Sequence, residues 1–169
     1  MSAIHELSSA VRTRRSDMGL TQAALAKLSG LSRASVNQVE NGTLKDLSLT
    51  RSAKLLGALG LSLIVAAPHP KRLQNQSARS SALDLAARTA SVSYRVAMSA
   101  SQLREVFTSA SLPANFSPHV YTLLEEAPVS LLACLVEELH LALGVERTKV
   151  WKKMRELARQ LKSSRELWL

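Results

Sequence analysis

The side chains best suited to molecular recognition in this sequence lie on one short predicted helix. The helix begins near residue 33, and its outward positions, three and four residues apart, carry no negative charge. These positions hold Arg33, Ala34, Asn37 and Gln38. One guanidinium group and two side-chain amides supply hydrogen-bond donors and acceptors beside a small apolar contact. The row is suited to binding a ligand through hydrogen bonds. Which ligand it can contact depends on the neighbouring helices.

No pattern in the sequence predicts catalysis. The second half lacks the strand-rich scaffold that a self-cleaving serine–lysine domain requires, and there is no glycine-rich phosphate loop. The single cysteine, Cys134, excludes an internal disulfide and is predicted to be a buried structural thiol. We predict no enzymatic activity, no cofactor and no metal site. The histidines, which form no HxxxH pair, are His5, His69, His119 and His140.

The charge of the chain favours a polyanionic partner. The 169 residues include 22 lysines and arginines against 13 acidic residues, which gives a net charge of +9. Such a charge favours nucleic acid over an acidic small molecule. It is denser in residues 1–76, with 10 basic and 4 acidic side chains. The longest apolar run, residues 55–67, is too short to span a bilayer, so we expect a cytoplasmic protein with no membrane association.

The N-terminal part is predicted to form four short helices and one strand. Apolar residues return every three or four positions, and Thr21, Ser32 and Ser48 are suitable N-caps. After Gly60 the sequence "LSLIVAA" is β-branched and alternating, which predicts a strand that pairs across a dimer axis. The helices are predicted at 5–18, 22–29, 33–41 and 48–59, and the dimer strand at Leu61, Leu63, Ile64 and Val65.

The second half is predicted to be helical and separate. Residues 68–82 combine prolines, basic residues and amides, which is typical of a linker. The predicted fold class is all-α, with a first domain at 1–67 and a helical domain at 83–169 for partner binding or oligomerisation. Residues 129–143 are apolar enough for either a core or a partner-binding face. The helices are predicted at 82–98, 100–110, 117–126, 129–143 and 147–163.

The stretch "TQAALAKLSGLSRASVNQVENGT" has the spacing of two helices that cross closely. Ala26 is small at the crossing, Gly30 tolerates the tight turn, and Val36 fills the angle between the helices. On these residues the stretch resembles the helix-turn-helix of Cro and phage repressors, the XRE family, over about residues 5–67. The resemblance implies a repressor that binds double-stranded operator DNA as a homodimer.

The same resemblance implies a role for each residue of the outward row. In this family the helix that begins near Ser32 lies in the major groove. Arg33 would donate two hydrogen bonds to guanine, Gln38 would pair with adenine, and Ala34 would contact a thymine methyl group. Glu40 is expected to be tied to a local partner, because a free carboxylate would repel phosphates.

The resemblance also implies contacts with the DNA backbone. Helix N-terminal amides and polar side chains around the helix pair are expected to bind phosphates. Arg12, Arg14 and Arg15 of the first helix are expected to add nonspecific attraction. The residues expected to contact phosphates are Gln22, Ser32, Ser35, Asn37, Thr43 and Lys45.

Residues 141–161 resemble a second helix-turn-helix, that of the C-terminal part of Fis-like proteins. Gly144 would lie in the turn, and His140 departs from the small residue expected at the crossing. The alternative is an amphipathic helix that turns Val150, Met154 and Leu157 inward. The possible second DNA contacts are Arg147, Lys149 and Lys152.

Three functions stay open at this point. The sequence "LGLSLIVAAP" resembles the HipB-type branch, which favours an antitoxin-like autoregulator with a cognate toxin as partner. The second hypothesis is a phage or mobile-element regulator without a toxin, and the third is a protein-binding adaptor with weak DNA contacts. A neighbouring gene for a kinase-like toxin would favour the first over the second. Loss of all specific binding by the N-terminal half would favour the third.

Overall fold

The computed structural model describes residues 3–44, 46–64, 81–108 and 112–168. All regular secondary structure among these residues is helical, which confirms the predicted all-α class for this part of the chain. The helices are α1 (Ala3–Asp17), α2 (Gln22–Ser29), α3 (Arg33–Glu40), α4 (Leu49–Ala58), α5 (Ala82–Ser91), α6 (Ala100–Thr108), α7 (Ser117–Glu126), α8 (Val129–Leu143) and α9 (Arg147–Gln160), with 3₁₀ turns at Ala114–Phe116 and Glu166–Trp168.

Helices α2, α3 and α4 begin where the sequence provides hydroxyl caps. The side-chain oxygens of Thr21, Ser32 and Ser48 each accept a hydrogen bond from a backbone N–H in the first turn of α2, α3 and α4. These caps satisfy donors that a helix leaves unpaired, and so they fix where each short helix starts. The core side chains between the helices, which are fully buried, include Val11, Leu25, Val36, Leu55 and Leu59.

Helix α8 is the central helix of the second half. It packs against α5, α9 and α4, and Leu132, Leu135 and Leu139 are fully buried. Residues 129–143 were predicted to form either a core or a partner-binding face. Their main apolar face belongs to the core. Within the described ranges, no single helix is long and apolar enough to cross a membrane, and only Ala114–Glu126 together with Val129–Leu143, bent by 118°, meets that criterion as a pair.

Two predicted helices in the second half extend too far. The helix predicted at 82–98 ends at Ser91. The Ser91 hydroxyl donates to the Ala87 carbonyl at 2.7 Å and accepts from the Met98 N–H at 2.8 Å, so it ties the segment after the helix back to the last helical turn. The helix predicted at 147–163 ends at Gln160, and Lys162 takes a left-handed φ of 58°. The helix predicted at 100–110 is described to Thr108.

The predicted dimer strand is not present in the residues that the structure describes. Leu61 closes the end of α4 by donating its N–H to the Leu56 carbonyl at 2.9 Å, and the segment through Ile64 is in no ladder. A strand exists only when its backbone pairs with another segment, and no described segment runs beside this one. Val65 lies outside the described residues, as does most of the predicted linker at 68–82.

The prediction for Cys134 was wrong. Its thiol is exposed, because Cys134 lies on the face of α8 opposite the one that packs into the core. Neighbouring positions on the buried face, Leu132 and Leu135, are fully covered. Because the whole segment is apolar, its composition did not indicate that one face of the helix is exposed.

The two halves of the described chain pack on each other through α1. The guanidinium of Arg155, on α9, donates to the carbonyl oxygen of Met18 at the end of α1, and Arg14 forms an ion pair with Glu137 of α8 at 3.2 Å. Buried apolar residues of both halves form one continuous core. The division into domains at 1–67 and 83–169 stays a prediction.

Gly60 offers a test of the contact between α4 and α8. Its φ is +67°, and a Cβ atom there would lie 2.9 Å from both the Val129 carbonyl oxygen and the Ala133 Cβ. Gly30 has a similar φ of +68° with nothing within 4 Å. We expect Gly30→Ala to cost about 1 kcal/mol from backbone strain alone, and Gly60→Ala about 2–4 kcal/mol because the clash adds to the strain.

The measurement is urea unfolding of both variants beside the wild type. Since the two glycines share a backbone conformation, their difference isolates the contact with α8. Equal losses of stability would show that the end of α4 does not pack on α8 in solution.

Candidate nucleic-acid interface

Helices α2 and α3 are joined by a turn of three residues, Gly30 to Ser32. Gly30 takes the left-handed conformation at φ 68°, and the N–H of Leu31 bonds to the Ala26 carbonyl at 3.0 Å, which ends α2. Ser32 then caps α3 through the N–H of Ser35 at 3.0 Å. Left-handed glycine and serine cap together set the direction in which α3 leaves the turn.

The outward row of α3 is exposed as the sequence predicted. Val36 and Val39 are buried on the inner side, whereas the four residues of the row face solvent. Arg33 makes no ion pair with any described residue, so its guanidinium donors are available to a ligand. The exposed residues of the row are Arg33, Ala34, Asn37 and Gln38.

Two pairs of the residues expected to contact phosphates are joined by hydrogen bonds, Gln22 with Asn37 and Ser32 with Ser35. The Gln22 amide donates to the Asn37 side-chain oxygen at 3.3 Å, and Asn41 donates to the same oxygen at 3.1 Å. The Asn37 oxygen is therefore occupied, and the exposed side chain keeps an NH₂ group that can donate. The Ser32 and Ser35 hydroxyls lie 2.9 Å apart at the beginning of α3.

Two further residues expected to contact phosphates lie after α3. Thr43 is exposed, and its hydroxyl donates to the Gln38 carbonyl at 3.4 Å. Lys45 lies outside the described residues. Gln22 and Thr43 are thus hydrogen-bonded to Asn37 and Gln38 of the outward row, and contacts of these residues with phosphate stay a prediction.

Glu40 has the local partners that the sequence analysis expected. Its carboxylate accepts hydrogen bonds from Arg15 at 2.5 and 3.1 Å and from Gln22 at 2.9 Å. Burial alone would raise the pKa of Glu40, but the bonds from Arg15 and Gln22, with the charges of Arg15 and Arg12, outweigh it and lower the pKa. Glu40 therefore stays ionised, and its charge is neutralised close to the surface of α3.

The arginines of α1 have different surroundings. Arg15 is committed to Glu40, and Arg14 to Glu137 at 3.2 Å. Arg12 is exposed on the same helix. Three arginines were expected to attract DNA nonspecifically. Among the described residues, only Arg12 of these three is without an ion pair, because the carboxylates of Glu137 and Glu40 neutralise Arg14 and Arg15.

The turn between α8 and α9 has the length of the first turn and also begins with a left-handed glycine, but its N-cap residue, Glu146, makes no side-chain cap bond. Gly144 takes φ 67°, and three residues separate the two helices. His140 does not stand at a small-residue crossing: its Nδ1 atom lies 2.9 Å from the Val145 carbonyl oxygen, across the turn. The inner face of α9, with Val150, Trp151 and Met154, is fully buried.

Three basic residues of α9 are paired with glutamates. Arg147 binds Glu137, with three nitrogen–oxygen distances between 2.8 and 3.0 Å. This contact lowers the pKa of Glu137 and raises that of Arg147. The exposed Lys149 lies 3.4 Å from Glu146, and Lys152 lies 4.0 Å from Glu156. These arrangements favour the amphipathic-helix alternative, and a role of these residues in DNA binding stays a prediction.

Sequence analysis missed the ion-pair triad of Arg14, Glu137 and Arg147 and the bond from Arg155 to Met18. Arg14–Glu137 and Arg155–Met18 join residues more than a hundred positions apart, and Arg147–Glu137 joins two helices across a turn. No periodicity or motif within a short window carries information about such pairs. The contacts therefore became visible only in the folded arrangement.

Comparison with protein families identifies the first half. Residues 11–65 match the family model HTH_3, described as helix-turn-helix. The matched segment contains α2, the glycine turn and α3, which supports a helix-turn-helix domain of the XRE type in this part of the chain, a domain found in DNA-binding transcription regulators. Comparisons with curated proteins and with solved structures each gave no match.

The buried carboxylate of Glu40 predicts a specific pH dependence. Its pKa is lowered from the ordinary value of 4.5, so its contribution to stability is complete above that pH and is lost as the pH falls through the lowered value. We expect Glu40→Gln to reduce the free energy of unfolding by about 2 kcal/mol at neutral pH. The difference from wild type should shrink in acid, as measured by urea unfolding from about pH 7 to pH 3.

Glu126→Gln is the matched control, since Glu126 is exposed on α7. This variant should track the wild type across the series. A deficit of Glu40→Gln that stays constant down to pH 3 would contradict the role of the charge.

Proposed function

We propose that the protein is a sequence-specific transcription regulator that binds a pseudo-palindromic operator as a homodimer. The observation that carries this proposal is the contrast between the two sides of α3. One side is locked by buried valines and by the Glu40 network, and the other presents an exposed row of hydrogen-bonding side chains. A rigid helix with such a face suits the major groove, where base edges are distinguished by hydrogen bonds.

Three residues of α3 are proposed to read bases. Arg33, in the first turn, is free to donate two hydrogen bonds to one guanine. Gln38 offers an amide of the kind that pairs with adenine, and Ala34 gives a methyl-sized contact for thymine. The exposure of all three side chains supports this assignment.

Backbone contacts are proposed for the polar residues at the edges of this surface. The starts of α2 and α3 bring N–H groups and short polar side chains together, an arrangement that suits phosphate oxygens. Asn37 has its NH₂ group unused because its oxygen is bonded to Gln22 and Asn41. The remaining proposed contacts are Gln22, Ser32, Ser35, Thr43 and Lys45.

The second half is proposed to support assembly or to bind a protein, rather than to read DNA. Its contacts with the first half use α1, α4 and the end of α2, where Lys27 pairs with Glu166 at 3.0 Å. None of these contacts covers the outward row of α3, which is exposed in the presence of the second half. The ion pairs of Arg147, Lys149 and Lys152 reduce the charge that α9 can offer to phosphates.

The particular role that we propose is antitoxin-like autoregulation of a toxin–antitoxin operon. It is supported by the resemblance of "LGLSLIVAAP" to the HipB-type branch. If it is correct, the full chain expressed with the neighbouring reading frame should co-purify with that product and should relieve its toxicity. A neighbour that neither binds the chain nor harms cells would leave a regulator without a toxin partner.

Replacing Arg33 tests the assignment of α3. We expect Arg33→Ala to weaken operator binding by about 1–3 kcal/mol, because a bidentate base contact is lost, while binding to random DNA changes little. Titrations of both DNAs at one salt concentration measure this. Arg88→Ala is the matched control, since Arg88 is an exposed arginine on α5, and it should alter neither affinity.

Equal losses on operator and random DNA would instead make Arg33 a phosphate contact. Loss of binding in Arg88→Ala as well would indicate that general charge, rather than α3, carries the affinity.

A further inference from the structure

One hydrogen-bond network runs from the buried end of α3 to its outward row. The Glu40 carboxylate accepts from Arg15 and, at 2.9 Å, from the side-chain nitrogen of Gln22. The same Gln22 nitrogen also donates to the Asn37 side-chain oxygen at 3.3 Å. Asn41 donates to that oxygen as well, at 3.1 Å. A buried carboxylate is thereby connected to a side chain on the exposed face of α3.

The orientation of the Gln22 amide follows from the chemistry of Glu40. A side-chain amide has one end that donates and one that accepts, whereas an ionised carboxylate only accepts. Burial would raise the pKa of Glu40, but the hydrogen bonds from Arg15 and Gln22 lower it, so the carboxylate is ionised. The end of Gln22 that lies beside Glu40 is therefore its NH₂ group. The reverse orientation would bring two acceptors together.

The orientation of the Asn37 amide follows from that of Gln22. The two hydrogens of the Gln22 NH₂ group have two acceptors, one on Glu40 and one on Asn37. The atom of Asn37 that receives this donor must be its oxygen, and the bond from Asn41 occupies the same oxygen a second time. Asn37 is therefore left with an NH₂ group that can donate and with no free acceptor.

An amide that can only donate is restricted in what it binds on DNA. Phosphate oxygens accept hydrogen bonds, and they receive a large share of those that proteins make to DNA. Pairing of an asparagine with adenine needs the amide oxygen as well as the NH₂ group. The oxygen of Asn37 is already occupied twice. The NH₂ group of Asn37 therefore suits a phosphate better than an adenine edge.

The same network removes the Gln22 side chain from the groups that can bind phosphate. Both of its hydrogens are used, and the atom that remains is a carbonyl oxygen, which repels a phosphate oxygen. Gln22 can still offer its backbone N–H, because it is the first residue of α2 and a helix leaves its first N–H groups without an internal partner. The phosphate contact proposed for Gln22 is then a backbone contact.

We propose that Gln22 is a positioning residue, whose side chain holds the Asn37 amide with its NH₂ group toward a DNA phosphate and does not itself contact DNA. This inference rests on the DNA binding proposed above. Glu40 sets the orientation of the first amide, and Gln22 passes it to the second. The side chain of Gln22 thus changes affinity only through Asn37, and it does not change which bases are preferred.

A double-mutant cycle on the full-length protein tests this dependence. Gln22→Ala, Asn37→Ala and the double variant are titrated with random DNA and with an operator selected from it, at one salt concentration. We expect Asn37→Ala to weaken binding to both DNAs about tenfold, because a hydrogen bond to a charged group is lost. Gln22→Ala should weaken binding no more than Asn37→Ala does. In the Asn37→Ala background it should change the affinity by less than about twofold.

The cycle separates positioning from a general effect on folding. If Gln22 only stabilised the fold, its replacement would weaken binding in both backgrounds. Gln22→Met is a second variant, since it keeps most of the side-chain volume and removes the NH₂ group, and it should bind like Gln22→Ala. Asn115→Ala is the matched control, because Asn115 is an exposed asparagine in the 3₁₀ turn before α7. This control should bind both DNAs like the wild type, and circular dichroism checks that every variant is folded.

Three results of the cycle would overturn the inference and leave operator binding standing. If Gln22→Ala weakens binding by the same factor in both backgrounds, Gln22 acts independently of Asn37. If Asn37→Ala weakens binding to the operator alone, Asn37 reads a base. If Asn37→Ala changes neither affinity, its NH₂ group contacts no DNA.

Failure of the proposed function would give a different result. The wild type would then select no sequence from random DNA. Titrations of the same four proteins on random DNA would still decide whether Gln22 acts through Asn37.

Discussion

The buried carboxylate of Glu40 is the constraint on which the helix-turn-helix unit depends. It is the last residue of α3, and it accepts hydrogen bonds from Arg15 of α1 and from Gln22 of α2. A buried charge without partners would be costly, so the three helices must keep the arrangement that satisfies it. One side chain thus holds α3 in place from its inner side, while the outer side stays free for a ligand.

The placement of carboxylates also explains why two similar helix pairs differ in the basic side chains that they leave free to bind a ligand. The α2–α3 and α8–α9 pairs both turn at a left-handed glycine followed by two residues. In the first pair Arg33 is without an ion pair in the described part of the chain, whereas Arg147 is held by Glu137 on the preceding helix. Turn geometry alone therefore does not define a DNA-binding surface. The position of the carboxylates decides whether the basic residues are available.

The sequence predicts best what is local. Hydroxyl caps, the glycine turn and the 3.6-residue period gave the bounds of α2 and nearly those of α3 and α4, because each signal acts within a few residues. The outward row was predictable for the same reason. Three features were not: the end of α5 at Ser91, the exposure of Cys134, and the absence of a strand at 61–64. The exposure of Cys134 and the missing strand depend on which other segments pack or pair there, and the end of α5 depends on a side-chain hydrogen bond from Met98 to Ser91. Composition and periodicity specify none of these partners.

Two adjacent residues of α1 connect the parts of the protein. Arg15 reaches Glu40 at the end of α3, while Arg14 reaches Glu137 on α8. Successive residues on a helix point about 100° apart, so α1 can contact both bodies at once without bending. The bond from Arg155 to Met18 holds the C-terminal end of the same helix, where burial lowers the pKa of Arg155 but the carbonyl accepts its donor. Contiguous contacts therefore run from α3 through α1 to α8 and α9. Because each link is a direct hydrogen bond or ion pair between helices, the position of α3 is tied to the positions of α8 and α9 through α1.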